Sequence, residues 1–221
     1  MPVTADLHTH SISSYDSCNT HSAIIRRCKK TGINCLAVTD HNEIAGALQL
    51  ASIAPFCVIV GEEVNTGEGE LIGLFLKEYI PPNLGLALTA EKIKAQGGLV
   101  YLPHPLSVSR KSSLNIAQAV ALKNEIDIVE IFNSRTRYEM NEREWLDEIL
   151  TAGKAVRAAG SDAHSPMEIG QVKISMADFT RQSQFLAALR NAKFKSLQKT
   201  DIFTRIITNH QTRKLLRVLL K

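Results

Sequence analysis

The rhythm of the chain constrains its fold more than any other feature. Short apolar runs rich in β-branched residues alternate with longer stretches of helical period from one end to the other. That alternation specifies βαβ units around a parallel sheet, because a parallel neighbour is reached only by a long crossover, normally a helix. Strands are expected at residues 3–7, 35–39, 57–60, 71–75, 99–102, 128–131 and 155–159, with a weaker eighth at 172–175. Helices are expected at 22–30, 44–52, 90–96, 114–122 and 138–152. Thr20 and Thr89 are candidate amino-terminal caps of the first and third helices, and Gly32 and Gly153 candidate stops of the first and fifth. Pro81-Pro82-Asn83 punctuates a loop.

At 221 residues one domain is expected, with enough interior for a full α/β core. No apolar run approaches the roughly 20 residues that cross a bilayer, and no charged-then-apolar leader precedes Asp6. Cys18, Cys28, Cys35 and Cys57 form no CxxC pair and read as reduced thiols, which points to the cytoplasm. The charge is uneven: residues 1–180 carry a net −5, whereas residues 181–221 hold ten Lys and Arg against Asp201 alone, a net +9. A clustered basic end is either a solvated helical face or a footprint for nucleic acid or a membrane surface. Residues 201–220 have helical spacing and an amphipathic pattern, so this extension is expected to dock on the domain.

Metal-ligand residue types follow the strand candidates directly. The first strand runs into Asp6-Leu7-His8-Thr9-His10, where a period of two sends His8 and His10 to the same side. The second ends in Thr39-Asp40-His41, the third in Gly61-Glu62-Glu63, another in Pro103-His104-Pro105, and another in Gly160-Ser161-Asp162-Ala163-His164. Five of the seven histidines lie at such ends. In a parallel barrel all carboxyl ends of strands face one rim, so ligands spread from His8 to His164 converge on one site. Mixed imidazole and carboxylate donors suit zinc, manganese or iron, and the lack of thiolate spacing argues against a structural zinc site. A carboxylate such as Glu63 can bridge two cations that acidify a shared water, giving a hydroxide able to attack phosphorus or a carbonyl carbon. Neither a GxSxG elbow nor a phosphate-cradling GxxxxGK[ST] motif is present, so serine-hydrolase and P-loop chemistry have no support.

Taken in order, Asp6-Leu7-His8-Thr9-His10, Thr39-Asp40-His41, Gly61-Glu62-Glu63, His104-Pro105 and Gly160-Ser161-Asp162-Ala163-His164 resemble the polymerase and histidinol phosphatase (PHP) family, over roughly residues 3–170. The resemblance implies a distorted (β/α)7 TIM-like barrel over residues 1–180, followed by a basic helical extension over 181–221, and a centre of two or three divalent ions that hydrolyses phosphoesters. It implies that His8, His10, Glu63 and Asp162 hold one ion, that Glu63 bridges to a second held by His104, and that His41 with His164 holds a third. Glu63, His104 and Asp162 would be the residues closest to the chemistry. Asp16 falls near a family ligand position and reads either as a ligand or as a turn residue bonding its own backbone. The family pattern of Gly, any residue, Glu selects Glu63 over Glu62. Some members supply another ligand after the fifth strand, where Glu130, Asn133 or neither serves here.

A phosphate substrate needs further cations, and Arg110 with Lys111, and Arg135 with Arg137, follow strands at the same rim. Each competes with a plain reading as surface charge. The favoured substrate is a small phosphoester, nucleotide-like or histidinol-phosphate-like, since about 40 residues between Glu63 and His104 leave little room for a capping domain. The alternatives are a hydrolase acting on nucleic-acid ends through the basic tail, a noncatalytic metal-binding module with a partner-binding tail, and a carbonyl-directed hydrolase.

Overall fold

The computed structural model describes residues 2–105, 107, 112–136, 149–151 and 155–200. Among them run nine strands: β1 (Val3–Asp6), β2 (Cys35–His41), β3 (Cys57–Asn65), β4 (Glu70–Leu74), β5 (Leu99–Leu102), β6 (Ile128–Asn133), β7 (Val156–Gly160), β8 (Val172–Met176) and β9 (Lys193–Leu197). The helices are α1 (His21–Thr31), α2 (Ala45–Ile53), α3 (Leu86–Ala95), α4 (Ile116–Ala121) and α5 (Gln182–Arg190). All strands belong to one sheet in the order β7-β6-β5-β4-β3-β2-β1-β8-β9.

Just past their carboxyl ends, β1 and β7 meet. Thr9 and Ala163 form a parallel bridge, the Asp162 amide donates to the His8 carbonyl at 2.8 Å, and the His10 amide donates to the Ala163 carbonyl at 2.9 Å. These bonds draw β1–β7 into a nearly closed barrel, the distorted seven-stranded α/β architecture that the sequence implies. Strands β8 and β9 hang from it, antiparallel, on the free side of β1.

The distortion centres on β4, which runs antiparallel to both β3 and β5. Only residues 66–69 separate β3 from β4, too few for a crossover, so the chain must turn straight back. Gly67, at φ 78°, and Gly69, at φ 153°, supply backbone that other residues adopt only with strain, and the Thr66 amide closes the turn on the Gly69 carbonyl at 2.8 Å. The reading of the sequence ended the third strand at Val60, which hid this hairpin; β3 in fact continues to Asn65.

Local signals account for most helix ends. Thr20 caps α1 by accepting from the Ala23 amide at 3.3 Å, and Gly32, left-handed at φ 75°, ends it. Asn115 and Gln118 form a reciprocal capping box on α4. Helix α3 begins earlier than expected, behind Gly85, so Thr89 lies buried inside it rather than at its start. Of the helix expected at 138–152, residues 149–151 are helical and the remainder, like Gly153, lies outside the described residues. The extension expected to be helical throughout opens with α5 but continues as strand β9, whose exposed Lys193, Lys195 and Leu197 alternate with half-buried Phe194 and Ser196 and suit an edge position. Residues 201–221 lie outside the described residues.

The barrel interior holds Ala5, Leu7, Ala37, Ile59, Ile72, Leu74, Tyr101, Ile128 and Ala158, in one apolar cluster with Phe185 and Leu189 of α5. Val3, Leu99 and Val156, which begin β1, β5 and β7, belong to that cluster too, so α5 covers the amino-terminal ends of these strands. We call this end the floor and the opposite end the rim. Among the described residues no helix is long and apolar enough to cross a membrane.

Candidate metal centre

The rim gathers four of the five strand-end histidines around one carboxylate. Glu63, the registered partner of His41 across the β2–β3 ladder, is fully buried. Its Oε1 lies 3.0 Å from His104 Nε2. Its Oε2 lies 3.4 Å from His8 Nε2, 3.4 Å from His10 Nε2 and 3.3 Å from His41 Nδ1. Each oxygen thus faces a different set of imidazoles, which is what a carboxylate bridging two cations requires. Glu62, one residue away, points to the other side of the strand and accepts from the Ile80 amide at 3.0 Å.

A second grouping overlaps the first. Asp162 Oδ1 lies 3.2 Å from His10 Nε2, and His164 Nε2 lies 2.9 Å from Asp16 Oδ2, with His41 Nε2 3.7 Å from the same oxygen. The rings of His10 and His164 stack with centroids 4.2 Å apart. One donor atom from each of His8, His10 and Glu63, and likewise from each of His10, Asp16, His41 and His164, fall within 4.8 Å of one another. These are nitrogen and oxygen donors clustered as a divalent ion requires.

The protonation states of Glu63, Asp16 and His10 agree with that use, whereas Glu63 and its neighbouring carboxylates raise His8 and His41 against their burial. Glu63 is held well below its ordinary value: burial opposes this, but the facing His8, His41 and His104 rings overcome it. Asp16 is likewise lowered against its burial by His164, His10 and His41. Burial, reinforced by the charge of His164, pushes His10 down to about 3, so it stands neutral. Ionised carboxylates and a neutral imidazole are the forms in which these groups bind a metal.

Behind the donors sits a layer of carboxylates and amides that fixes their directions. Glu130, fully buried, lies 3.1 Å from His8 Nδ1 and accepts from the Tyr101 hydroxyl at 3.0 Å, the His104 amide at 2.6 Å and Asn133 Nδ2 at 3.0 Å. It therefore orients His8 from behind, and Asn133, which also donates to Asp162 Oδ2 at 3.3 Å, ties Glu130 to Asp162. Glu168 accepts from the His164 and Ser165 amides at 3.0 and 2.9 Å. Asn19 donates to the carbonyls of His10 at 2.8 Å and Ala163 at 3.0 Å, which pins the loop bearing Asp16 across the barrel seam. A side chain at Gly160 would collide with His8 and Glu130, so only glycine lets β7 pass this close. His104 and Asp162 are themselves held left-handed, at φ 32° and 54°, conformations that cost about 1 kcal/mol or more and cluster at functional sites.

The structure adds a residue that the sequence reading overlooked. Glu70 Oε2 lies 3.5 Å from His104 Nε2 and its Oε1 3.7 Å from His41 Nδ1, and His41, Glu63 and Glu70 form a third donor group. Burial and the neighbouring Glu63 charge raise its affinity for a proton. Glu70 reaches the rim because β4 is reversed, so the first residue of this strand, opposite Asn65, occupies the rim where its neighbours end.

The cationic candidates fare differently. Arg135 has its guanidinium ion-paired with Glu168, and its backbone amide bonds Asn133 Oδ1 at 2.9 Å. Arg110, Lys111 and Arg137 lie outside the described residues. Lys199, after β9, donates to the Asn133 carbonyl at 2.9 Å and to the Thr136 carbonyl at 2.5 Å, bracing the turn that carries Arg135.

Fold and site together define a barrel whose rim carries clustered His and carboxylate donors able to hold a metal ion. The PHP domain family's model matches residues 6–166, and a PHP-associated model matches residues 157–194. The chain belongs to the PHP domain family. An uncharacterized protein of Methanocaldococcus jannaschii is 38% identical over 176 residues, covering 78% of this chain and 70% of that protein. Among solved structures, a two-domain protein from Bacteroides vulgatus, described as containing a predicted PHP-like metal-dependent phosphoesterase, superposes with a TM-score of 0.67 at 16% identity over 88% of this chain. The present chain spans 65% of that protein's length. An amidohydrolase from Chromobacterium violaceum, with bound sulfate and no metal, superposes with a TM-score of 0.59 at 15% identity over 86% of this chain and 97% of that one.

Proposed function

We propose that this chain is a metal-dependent phosphoesterase acting on small phosphoesters, nucleotide-like or histidinol-phosphate-like, with manganese, zinc or iron as its ions. The observation that carries the reading is Glu63, whose two oxygens face separate sets of imidazoles. His8, His10, Glu63 and Asp162 would hold one ion, Glu63, His104 and Glu70 a second, and Asp16, His41 and His164 a third. When bound, such ions supply Lewis acidity to a phosphoryl oxygen and lower the pKa of water.

The remaining work belongs to the chain. Glu130 and Asn133 keep His8 and Asp162 aimed inward, and Glu168 holds the turn of His164. Near-complete burial of the donors excludes bulk water and strengthens their electrostatic action on an entering phosphoryl group. At the mouth, Tyr15 is 62% exposed and stacks on His41 with ring centroids 5.2 Å apart, offering its outer surface to the organic part of a nucleotide-like substrate.

The test is hydrolysis of phosphomonoesters, phosphodiesters, nucleotides, short oligonucleotides and amides by the purified protein reloaded with Mn²⁺, Zn²⁺ or Fe²⁺. Phosphomonoester turnover abolished by chelation is the expected result. Preference for oligonucleotide ends or for amides would replace the substrate class, and bound metal with no turnover on any of them would overturn the enzymatic reading. The ion pair that occupies Arg135 favours the amide arm as the second reading, because it withdraws a guanidinium from phosphate.

A further inference from the structure

The ladder that delivers His41 and Glu63 to the rim begins at the floor with two thiols. Cys35 opposite Cys57 is the first of the seven registered pairs between β2 and β3, and His41 opposite Glu63 is the last. Side chains alternate with a period of two, so Cys35 and Cys57 lie on one face of the sheet, the face that carries His41 and Glu63. Neighbouring strands are about 4.8 Å apart, which places registered Cα atoms inside the roughly 4.4–6.8 Å span that a disulfide bridges. The Cys57 amide also donates to the Asn34 carbonyl at 3.1 Å, fastening the two strand starts together.

The two thiols are chemically unequal. Cys57 is exposed, whereas Cys35 is buried. A hydrogen bond from the Cys35 thiol lowers Cys57 to about 7 against its partial burial and the charge of Asp178, while the same bond and burial drive Cys35 far upward. Cys18 and Cys28 are both buried, and burial pushes Cys28 up to about 12. An accessible, low-pKa thiol beside a second thiol is the arrangement that oxidises reversibly.

We propose that Cys57 and Cys35 are a peroxide-sensitive dithiol in which Cys57 is the attacking thiol and Cys35 the resolving one. The Cys57 thiolate attacks one oxygen of hydrogen peroxide; an S–O bond forms, the O–O bond breaks and hydroxide leaves. The Cys35 sulfur then attacks the Cys57 sulfenic sulfur, the S–O bond breaks, and the Cys35 proton leaves with that oxygen as water. Two thiols are oxidised to one disulfide and one peroxide is reduced to two waters. The product staples β2 to β3 at the floor and alters no metal donor, so the inference stands apart from the proposed phosphoester chemistry.

The full chain is treated with limiting hydrogen peroxide, alkylated, and cleaved after both acidic and basic residues, which puts Cys18, Cys28, Cys35 and Cys57 on four separate peptides. The expected product is a Cys35–Cys57-linked peptide, lighter by two hydrogens and released by dithiothreitol. In Cys35→Ser the link disappears and Cys57 is trapped as a dimedone adduct; in Cys57→Ser, Cys35 stays reduced. Wild-type protein with both thiols still alkylatable, with Cys57 oxidised past sulfenic acid without a link, or with links through Cys18 or Cys28 instead would overturn the proposal, even if either variant fails to fold.

Discussion

The two ends of this barrel are built from opposite materials. At the floor, Val3, Leu99, Val156 and Phe185 are buried in a continuous apolar cluster, with the Phe185 ring edge-on to Phe75 and Phe179 at 5.1 and 5.0 Å. At the rim, five histidines and several carboxylates are packed together with little exposure. Apolar burial stabilises by itself, whereas burying a charge costs several kcal/mol unless partners or a metal compensate. The same strands cross from one regime to the other within a few residues. The floor therefore holds the fold, whereas the rim relies on its ion pairs to offset the cost of burial.

Substitutions can break this contrast. The largest effect is expected from Glu63→Gln, which removes the shared donor: metal content should fall and turnover drop by more than about a hundredfold, the upper end of what losing a mere supporting partner costs. Metal analysis with kinetics checks it, and full metal content with unchanged rate would separate Glu63 from the centre. Phe185→Ala should act on the other end alone. It should lower stability by about 3–5 kcal/mol in denaturant titration while the folded fraction keeps its metal affinity; a parallel loss of affinity would show that floor and rim are not independent.

Glu130→Gln sharpens the comparison from within the rim. Its oxygen can still accept from the His104 amide, but its hold on His8 weakens, so metal affinity should fall about 10–100-fold with the fold intact, as competition with a chelator would show. The smallest effect concerns the floor thiols. The thiolate is the reactive form, and Cys57 is lowered to about 7, so its alkylation should be fast at neutral pH and fade as pH falls through that value. In Cys35→Ala, which removes the donor, the midpoint should climb toward 9.0, the ordinary value. A midpoint near 9.0 in the wild type would remove the distinction between the thiols.

Strand ends made much of the site legible. His8, His10, His41, His104, Asp162 and His164 each follow a recognisable apolar run, and a parallel barrel converts that sequence position into a shared place. Strand direction was not legible in the same way. An apolar run such as Leu71-Ile72-Gly73-Leu74 reads alike in either sense, so the reversal of β4, and with it Glu70, stayed hidden. The positions of Glu130 and Asn133 behind the donors depend on side-chain distances that no spacing encodes. Strand β9 escaped notice because Lys193 and Lys195 read as charge rather than as an edge.

The reversal of β4 has one more effect, on the segment that follows it. Leaving β4 at the floor, residues 75–85 must climb the outside of the barrel before α3 descends, and they do so with neither helix nor sheet to satisfy their amides. Single groups serve instead: Gln96 Oε1 takes the amides of Lys77 and Glu78 at 2.9 and 2.8 Å, Glu62 takes Ile80, and the Asn65 carbonyl takes Asn83 at 2.7 Å. A ladder opens cooperatively, but this strap can let go one bond at a time. Its amides should exchange with solvent deuterium well before those of β2 and β3, marking the seam where this barrel breathes.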